Sequence, residues 1–170
     1  LGGHAARPHA SVDPVIVGAA IVQALQSVVS RSVDPIESAV VSVTKFHVGE
    51  AHNIIADTAH LGGTVRTLKP DIRDLVEDRV RTVVESTAAA YGAAATVDYD
   101  RNYPVTRNHP AETDFAASVA AEVAGRERVD AETPPLMGGE DFSYMLEARP
   151  GAFIFIGNGD SAGLHNSAYD

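Results

Sequence analysis

The order of hydrophobic periodicities over the first hundred residues limits the fold of this chain more than any other feature. Apolar residues recur at helical spacing over residues 12–30, and β-branched residues dominate 38–48, so the sequence predicts a helix followed by a strand. A second strand is predicted over 58–68, antiparallel to the first. Gly62 and Gly63 weaken that strand and predict a bulge in it.

The helical period returns after the second strand. Residues 69–91 predict a helix that opens with a Lys-Pro-Asp sequence and ends before Gly92, the position of a C-cap glycine. Residues 94–100 alternate apolar and polar side chains, which predicts a half-buried strand. If a strand runs into Gly2 and Gly3, the order becomes βαββαβ, an antiparallel sheet with two helices on one face.

A polar segment with two prolines, residues 101–110, marks the junction to a second region. Beyond it the spacing predicts a helix over 110–124 and a short helix through Met145 and Leu146. Residues 152–157 form a continuous apolar run, which predicts a strand buried on both faces. The chain is therefore expected to divide near residue 102.

Composition argues against several classes of protein. Acidic residues outnumber basic ones 23 to 13, so a nucleic-acid or anionic-membrane binder, which needs a basic face, is not expected. The chain has no cysteine, so disulfides and thiolate metal sites within it are excluded. Its apolar runs are shorter than a bilayer span and its first eleven residues carry no targeting signal. We therefore expect no membrane association, and the cytoplasm is the default compartment.

Each candidate functional residue also has an ordinary structural interpretation. When the residues are considered one at a time, residue type favours that interpretation. His4 fits an N-terminal loop, Asn53 a turn, and Arg66 the solvated face of a strand. Gly139 fits a turn that opens a helix, and His165 an exposed loop. The functional alternatives are a His4 presented at a site by its glycines, an Arg66 that grips a carboxylate, and a His165 that binds metal.

Six short blocks are more specific together than any one of them. They are Gly2-Gly3-His4-Ala5-Ala6-Arg7-Pro8-His9, Val12-Asp13-Pro14, Asn53-Ile54-Ile55-Ala56-Asp57, Gly63-Thr64-Val65-Arg66-Thr67, Met137-Gly138-Gly139-Glu140-Asp141-Phe142-Ser143-Tyr144 and Gly163-Leu164-His165-Asn166. In this order the chain resembles the dinuclear-metal amidohydrolases that include aminoacylases, hippurate hydrolases and auxin-conjugate hydrolases. The resemblance covers the whole chain.

The resemblance implies a two-domain enzyme that hydrolyses the amide bond of N-acyl amino acids. Residues 1–102 look like its inserted α+β dimerisation domain, with the first strand cut short, and 103–170 like an incomplete part of its α/β catalytic domain. The implied cofactors are two divalent metal ions, zinc or manganese first, with cobalt or nickel as alternatives. The implied partners are a small N-acyl amino acid and a second copy of the chain.

The resemblance also implies roles for single residues. His4 corresponds to a histidine that reaches the active site of the partner subunit and polarises the scissile carbonyl. Asn53 and Arg66 look like groups that hold the substrate carboxylate, Gly139 like part of the pocket wall, and His165 like the last metal ligand. The family's other metal ligands and its activating glutamate have no counterpart in this chain. We therefore expect the chain to be inactive alone.

Two other interpretations stay open. One is a non-catalytic homodimerisation module built on residues 1–102. The other is an unrelated small-molecule-binding α+β domain, which would be favoured if His4, Asn53 and Arg66 lay far apart in both the dimer and the monomer. Glu140 matches the family's motif, but the resemblance assigns it no more than a place in or behind the pocket.

Overall fold

The computed structural model of the chain describes residues 1–157, 159, 162–163 and 166–168. These residues divide into two compact units, of which the first contains 1–105 and 136–139. The second contains 106–135 and the described residues from 140 onward. The assignment of residues 1–102 to a dimerisation domain and of 103–170 to a catalytic domain stays a prediction.

The first unit is an α+β structure, and its elements follow the predicted order closely. They are β1 (Gly3–His4), α1 (Pro14–Ser27), β2 (Ala39–Val48), β3 (Ile54–Ile55), β4 (Ala59–Thr67) and α2 (Pro70–Ala90). A short π-helical segment, Val28–Ser32, continues α1. The helices predicted over 12–30 and 69–91 and the strands predicted over 38–48 and 58–68 are confirmed. Gly92 follows α2 with φ +75°, the left-handed conformation expected of a C-cap glycine.

Helix α1 begins at a well-defined cap and packs into the core. The Asp13 side chain accepts a 2.9 Å hydrogen bond from the Val15 N–H, and Pro14 takes the first helical position, where a missing N–H has no consequence. An 18-residue window within residues 14–32 has a mean hydropathy of 1.4, so by length and composition this segment could cross a membrane, contrary to what the short apolar runs predict. In the structure this helix buries Ile21 and Leu25 against the rest of the unit, while Val15 and Ile16 near its start are about half exposed.

One hydrophobic core joins the two helices to one face of the β2–β4 sheet. Its buried members are Val17, Ile21, Leu25, Val28, Val33, Ile72, Val76, Val80 and Ala88. The sheet contributes half-buried side chains from both strands, among them Val41, Val43, Leu61 and Val65. Because these residues alternate along their strands, they all lie on the same face of the sheet. The two helices therefore cover one face and leave the other face outward.

Strands β2 and β4 pair antiparallel, as predicted, and the pairing contains a bulge. Val43 lies opposite Gly63 and Lys45 opposite Gly62, so Thr44 is the extra residue. The bulge is thus at the predicted place, but the extra residue belongs to β2 and not to the strand that carries the glycines.

The predicted single sheet is wrong, because the described residues form two separate two-stranded sheets, β1–β3 and β2–β4. The strand predicted over 94–100 is also absent there. Burial alternates along this segment as predicted, and Ala95 and Val97 pack against the core. However, the Val97 carbonyl accepts a 2.7 Å hydrogen bond from Nη1 of Arg81, so a side chain takes the place of a neighbouring strand.

An ion-pair network runs along the outer side of α2. Glu77 accepts hydrogen bonds from Arg81 at 3.0 Å and from Arg101 at 2.7 Å, and Arg101 also pairs with Asp74 at 2.7 Å. The hydrogen bond from Arg81 is the main reason that the pKa of Glu77 lies below its ordinary value. Burial opposes this shift, and Arg101 adds to it.

The second unit contains α3 (Pro110–Ala124) and α4 (Phe142–Ala148), which confirms both predicted helices. The strand predicted over 152–157 is wrong, since this segment has no strand partner among the described residues and Ile156 is 86 % exposed. The backbone of Phe153 instead forms two hydrogen bonds with the Asn108 side chain, at 2.8 and 2.9 Å. The Asn108 side-chain amide thus makes the two backbone hydrogen bonds that a neighbouring strand would make.

Candidate functional site

The first candidate pair consists of His4 and Asn53, which the β1–β3 pairing brings together. His4 lies opposite Ile54, and the Ala5 N–H donates a 3.0 Å hydrogen bond to the Asn53 carbonyl. The two predicted residues therefore lie at the same end of one small sheet, although they are far apart in sequence. Residue types place both in loops or turns and give no sign of this pairing, because each strand is only two residues long.

A hydrogen bond to the His4 ring indicates which of its two nitrogens carries the proton in the neutral form. Its Nδ1 accepts a 3.1 Å hydrogen bond from the Ala6 N–H. A backbone amide can only donate, so in the neutral ring the proton is on Nε2. Nε2–H is therefore available as a donor to an oxygen that carries partial negative charge, and this is the chemistry of the predicted carbonyl-polarising role.

Gly2 allows β1 to lie close to β3. A Cβ on Gly2 would lie 2.5 Å from the Ile55 carbonyl oxygen, so no larger residue fits without moving the backbone. The Gly2 N–H also donates a 2.6 Å hydrogen bond to Oδ1 of Asp57. The approach that glycine permits thus fixes the strand that carries His4.

The second candidate pair consists of Arg66 and Gly139. Arg66 lies opposite Val40 on the outward face of β2–β4. A Cβ on Gly139 would lie 3.6 Å from the guanidinium carbon of Arg66 and 3.6 Å from the ring of Tyr103. Two residues that are distant in sequence therefore meet at one place on this unit.

The Arg66 guanidinium is open to a ligand. Its one recorded hydrogen bond among the described residues is from Nη1 to its neighbour's carbonyl, that of Val65, at 3.3 Å. Within the same described part of the chain, no carboxylate lies within ion-pair distance of it. A planar fork with unused donors is suited to a carboxylate, which it can bind through two parallel hydrogen bonds.

A cleft of about 370 Å³ lies beside the first pair, and no sequence pattern predicts it. Its lining includes Ala5 and Ile54 together with three titratable side chains, those of Asp13, Glu50 and His52. Two carboxylates in this lining disfavour an anionic ligand. A substrate carboxylate is therefore better accommodated at Arg66 than in this cleft.

The described residues do not fit a dinuclear metal centre. Within that part of the chain, no group of three or more His, Asp or Glu side chains is placed to hold a metal ion. The predicted metal ligand, His165, lies outside the described residues. The hydrogen bonds of Glu140 to Ser143 are made by its backbone. Its carbonyl accepts hydrogen bonds from the Ser143 hydroxyl at 2.6 Å and from the Ser143 N–H at 3.2 Å, at the start of α4.

Comparison with known proteins gives the family. Residues 5–170 match the profile of peptidase family M20/M25/M40. The chain belongs to this peptidase family. This M20-family chain is 38 % identical to the hippurate hydrolase of Campylobacter jejuni over 168 residues, which is 99 % of the chain and 44 % of that enzyme. It is 39 % identical to the N-acetylcysteine deacetylase of Bacillus subtilis over 168 residues, 99 % of the chain and 43 % of that enzyme.

A solved structure agrees with the relatives. The dinuclear metal-binding M20 peptidase of Bacillus subtilis superimposes with a TM-score of 0.62 at 36 % identity, over 82 % of the chain and 35 % of that protein. The predicted membership of a metal-dependent amidohydrolase family is thus confirmed. The M20 chain spans roughly two fifths of the length of the relatives it matches.

Proposed function

We propose that this chain is the part of a metal-dependent amidohydrolase that recognises substrate, and that the whole enzyme hydrolyses the amide bond of N-acyl amino acids. The observation that carries the proposal is the open Arg66 guanidinium beside Gly139. The relatives support it, because hippurate and N-acetylcysteine are both acylated amino acids with a free carboxylate close to the amide.

Each residue has a proposed part in that reaction. Arg66 and Asn53 hold the substrate carboxylate, while Gly139 leaves room beside the guanidinium. His4, through Nε2–H, donates to the amide carbonyl and stabilises negative charge as it develops on that oxygen, an effect worth about 3–4 kcal/mol in comparable donors. His4 is proposed to act in the active site of the partner subunit, so the enzyme is a homodimer.

The metal centre is proposed to depend on groups outside the described residues, with His165 as one ligand. Two divalent ions, zinc or manganese first, remain the expected cofactors. Since the described side chains supply no metal cluster, activation of the attacking water is also assigned to groups outside them. The isolated chain is accordingly proposed to be inactive, and the cytoplasm remains the proposed compartment.

Arg66→Ala in the full-length enzyme tests the carboxylate site. A charge-assisted hydrogen bond contributes about 1.5–3 kcal/mol, so kcat/KM for an N-acyl amino acid should fall by roughly 10- to 150-fold. The same substitution should leave hydrolysis of the matched N-acyl amino acid amide, which lacks the carboxylate, nearly unchanged. Arg31→Ala is the matched control, since Arg31 is also exposed and its Nη1 also bonds to the preceding residue's carbonyl. Equal losses on both substrates would refute the assignment.

A non-catalytic homodimerisation or small-molecule-binding module is the second candidate. The absence of a metal cluster among the described residues favours it for the chain by itself. Sedimentation analysis of the isolated chain, together with an amide-hydrolysis assay in the presence of zinc or manganese, separates the two. Metal-dependent hydrolysis by the chain alone would contradict both the module and the proposed inactivity.

A further inference from the structure

Two histidines that sequence spacing does not connect lie directly opposite each other on the β2–β4 sheet. His47 pairs with His60 in the antiparallel register, and both side chains are exposed. Residues directly opposite in such a pair share one face, with their Cβ atoms about 4.5–5.5 Å apart. Among the described residues, neither imidazole has a recorded hydrogen bond or ion pair.

Ordinary alternation directs His60 outward, and the bulge does the same for His47. On β4, Leu61 packs inward, so its neighbour His60 points outward. On β2, the extra residue Thr44 reverses the alternation, so Phe46 and not His47 packs inward, against Gly18 of α1. A β2 strand without this extra residue would direct His47 toward the core.

We propose that His47 and His60 form a two-histidine binding site for a late first-row divalent cation, with copper(II) preferred. Neutral imidazole is a common ligand for these metals, and the general order of affinity places copper(II) above nickel(II) and zinc(II). Metal–nitrogen bonds of about 2.0–2.1 Å on neighbouring coordination positions require the two ring nitrogens to be about 3 Å apart. Rings on Cβ atoms about 5 Å apart reach this separation by side-chain rotation alone.

The backbone of the site is already in place, since both histidines lie inside a hydrogen-bonded ladder. Metal binding therefore orders only two side chains, and water completes the coordination. One charge opposes the cation: Lys45 lies on the same face, and its side chain runs over Gly62, 3.5 Å from where a Cβ would be. Lys45→Gln should accordingly strengthen copper(II) binding.

Calorimetric titration of the full chain with copper(II) chloride tests the proposal. We expect a one-equivalent binding event that disappears in His47→Ala and in His60→Ala but persists in His9→Ala, which removes an exposed histidine from a short 3-10 helix. In the ¹⁵N-histidine spectrum, substoichiometric copper(II) should broaden the His47 and His60 ring signals together.

Three results would overturn the proposal. The first is unchanged binding in both alanine variants, and the second is loss of binding in only one of them. The third is a stoichiometry of one copper per two chains with dimer formation, which would mean that the metal bridges two copies and is not chelated within one sheet.

Discussion

Gly63→Ala should destabilise the first unit more than the addition of a single methyl group suggests. A Cβ at this position would lie 2.2 Å from the Ser42 carbonyl oxygen and 3.1 Å from the Val43 Cα. The first distance is far shorter than an ordinary contact, and both partners are backbone atoms held in the β2–β4 ladder. The strands must therefore separate or lose their register to admit a methyl group.

The magnitude follows from two opposing effects. Overpacking of this kind costs about 1–3 kcal/mol, while replacing glycine lowers the entropy of the unfolded chain and returns about 0.4–1 kcal/mol. The net expectation is a loss of about 1–2 kcal/mol in the free energy of unfolding, which corresponds to roughly 2–8 °C in Tm for a chain of this size. Because Gly63 precedes Arg66 by three residues on β4, the same distortion should also weaken carboxylate binding by the full-length enzyme.

Gly62→Ala is the matched control. Its Cβ would meet only the flexible side chain of Lys45, at 3.5 Å, so the entropic gain should leave stability unchanged or slightly higher. Urea unfolding followed by circular dichroism measures both variants. If Gly63→Ala is as stable as Gly62→Ala, the ladder is not as rigid at the bulge as the expected loss requires.

Three further substitutions test the core, the cap and the charge network. Val76→Ala, at a fully buried position, should cost about 2–3 kcal/mol, whereas Val119→Ala, at 42 % exposure on α3, should cost under about 0.5 kcal/mol; thermal unfolding compares them. Asp13→Ala should cost about 1 kcal/mol through loss of the α1 cap, and Asp13→Ser should restore most of it in the same assay. The lowered pKa of Glu77 means that its ionised form stabilises the folded state above its ordinary pKa, and that this stabilisation is lost as the pH falls through the folded value. Unfolding of Glu77→Gln across about pH 3–7 should therefore lack that part of the acid dependence, and a parallel pH profile for variant and parent would contradict the assignment.

Periodicity and residue type were sufficient to locate the elements that build the core, but not every face that these elements bury. In α2 the residues that recur at helical spacing include the buried Ile72, Val76 and Val80. In α1 the spacing predicts a face of Val12, Val15, Ala19, Val22, Leu25 and Val29, and this face is largely wrong, because only Leu25 of it is buried and Val15 is 46 % exposed. The segments predicted as strands match β2 and β4 to within a residue at each end. These signals are strong because burial against several neighbours selects side chains over the whole length of an element. On α3, Phe115, Val119 and Val123 recur at helical spacing, but Phe115 is 70 % and Val123 84 % exposed, so this spacing does not mark a buried face.

Two predicted strands failed for the same physical reason. An alternating or apolar pattern records which side chains are buried, but a strand also needs a backbone partner. Over 94–100 the partner is the Arg81 side chain, and at Phe153 it is the Asn108 side chain. Nothing in the local sequence distinguishes a carbonyl bonded to a guanidinium from one bonded to a neighbouring strand.

The candidate residues show what an ordered motif adds and what it omits. The motif selected Asn53 and Arg66, whose individual residue types favoured a turn and a solvated strand face. It could not show that Arg66 lies beside Gly139 or that His4 lies beside Asn53. The second contact depends on strand register, and the first on how residues distant in sequence fold together. Register is fixed by packing of the whole face and has no local signature in a two-residue strand.

The choice of which alternate residues of β2 face the core explains both the bulge and the residues on the outward face of the sheet. The apolar residues that face the core fall on odd positions through Val43 and on even positions from Phe46, so the sequence itself contains the slip that the bulge at Thr44 resolves. A regular strand would direct His47 toward the core and would turn Phe46, which is 39 % exposed and contacts Gly18, away from α1. The bulge lets the core side stay apolar along the whole strand while the opposite face presents His47 and His60, with Arg66 further along β4. The proposed site at His47 and His60 therefore depends on one extra residue, Thr44, in the strand that carries His47.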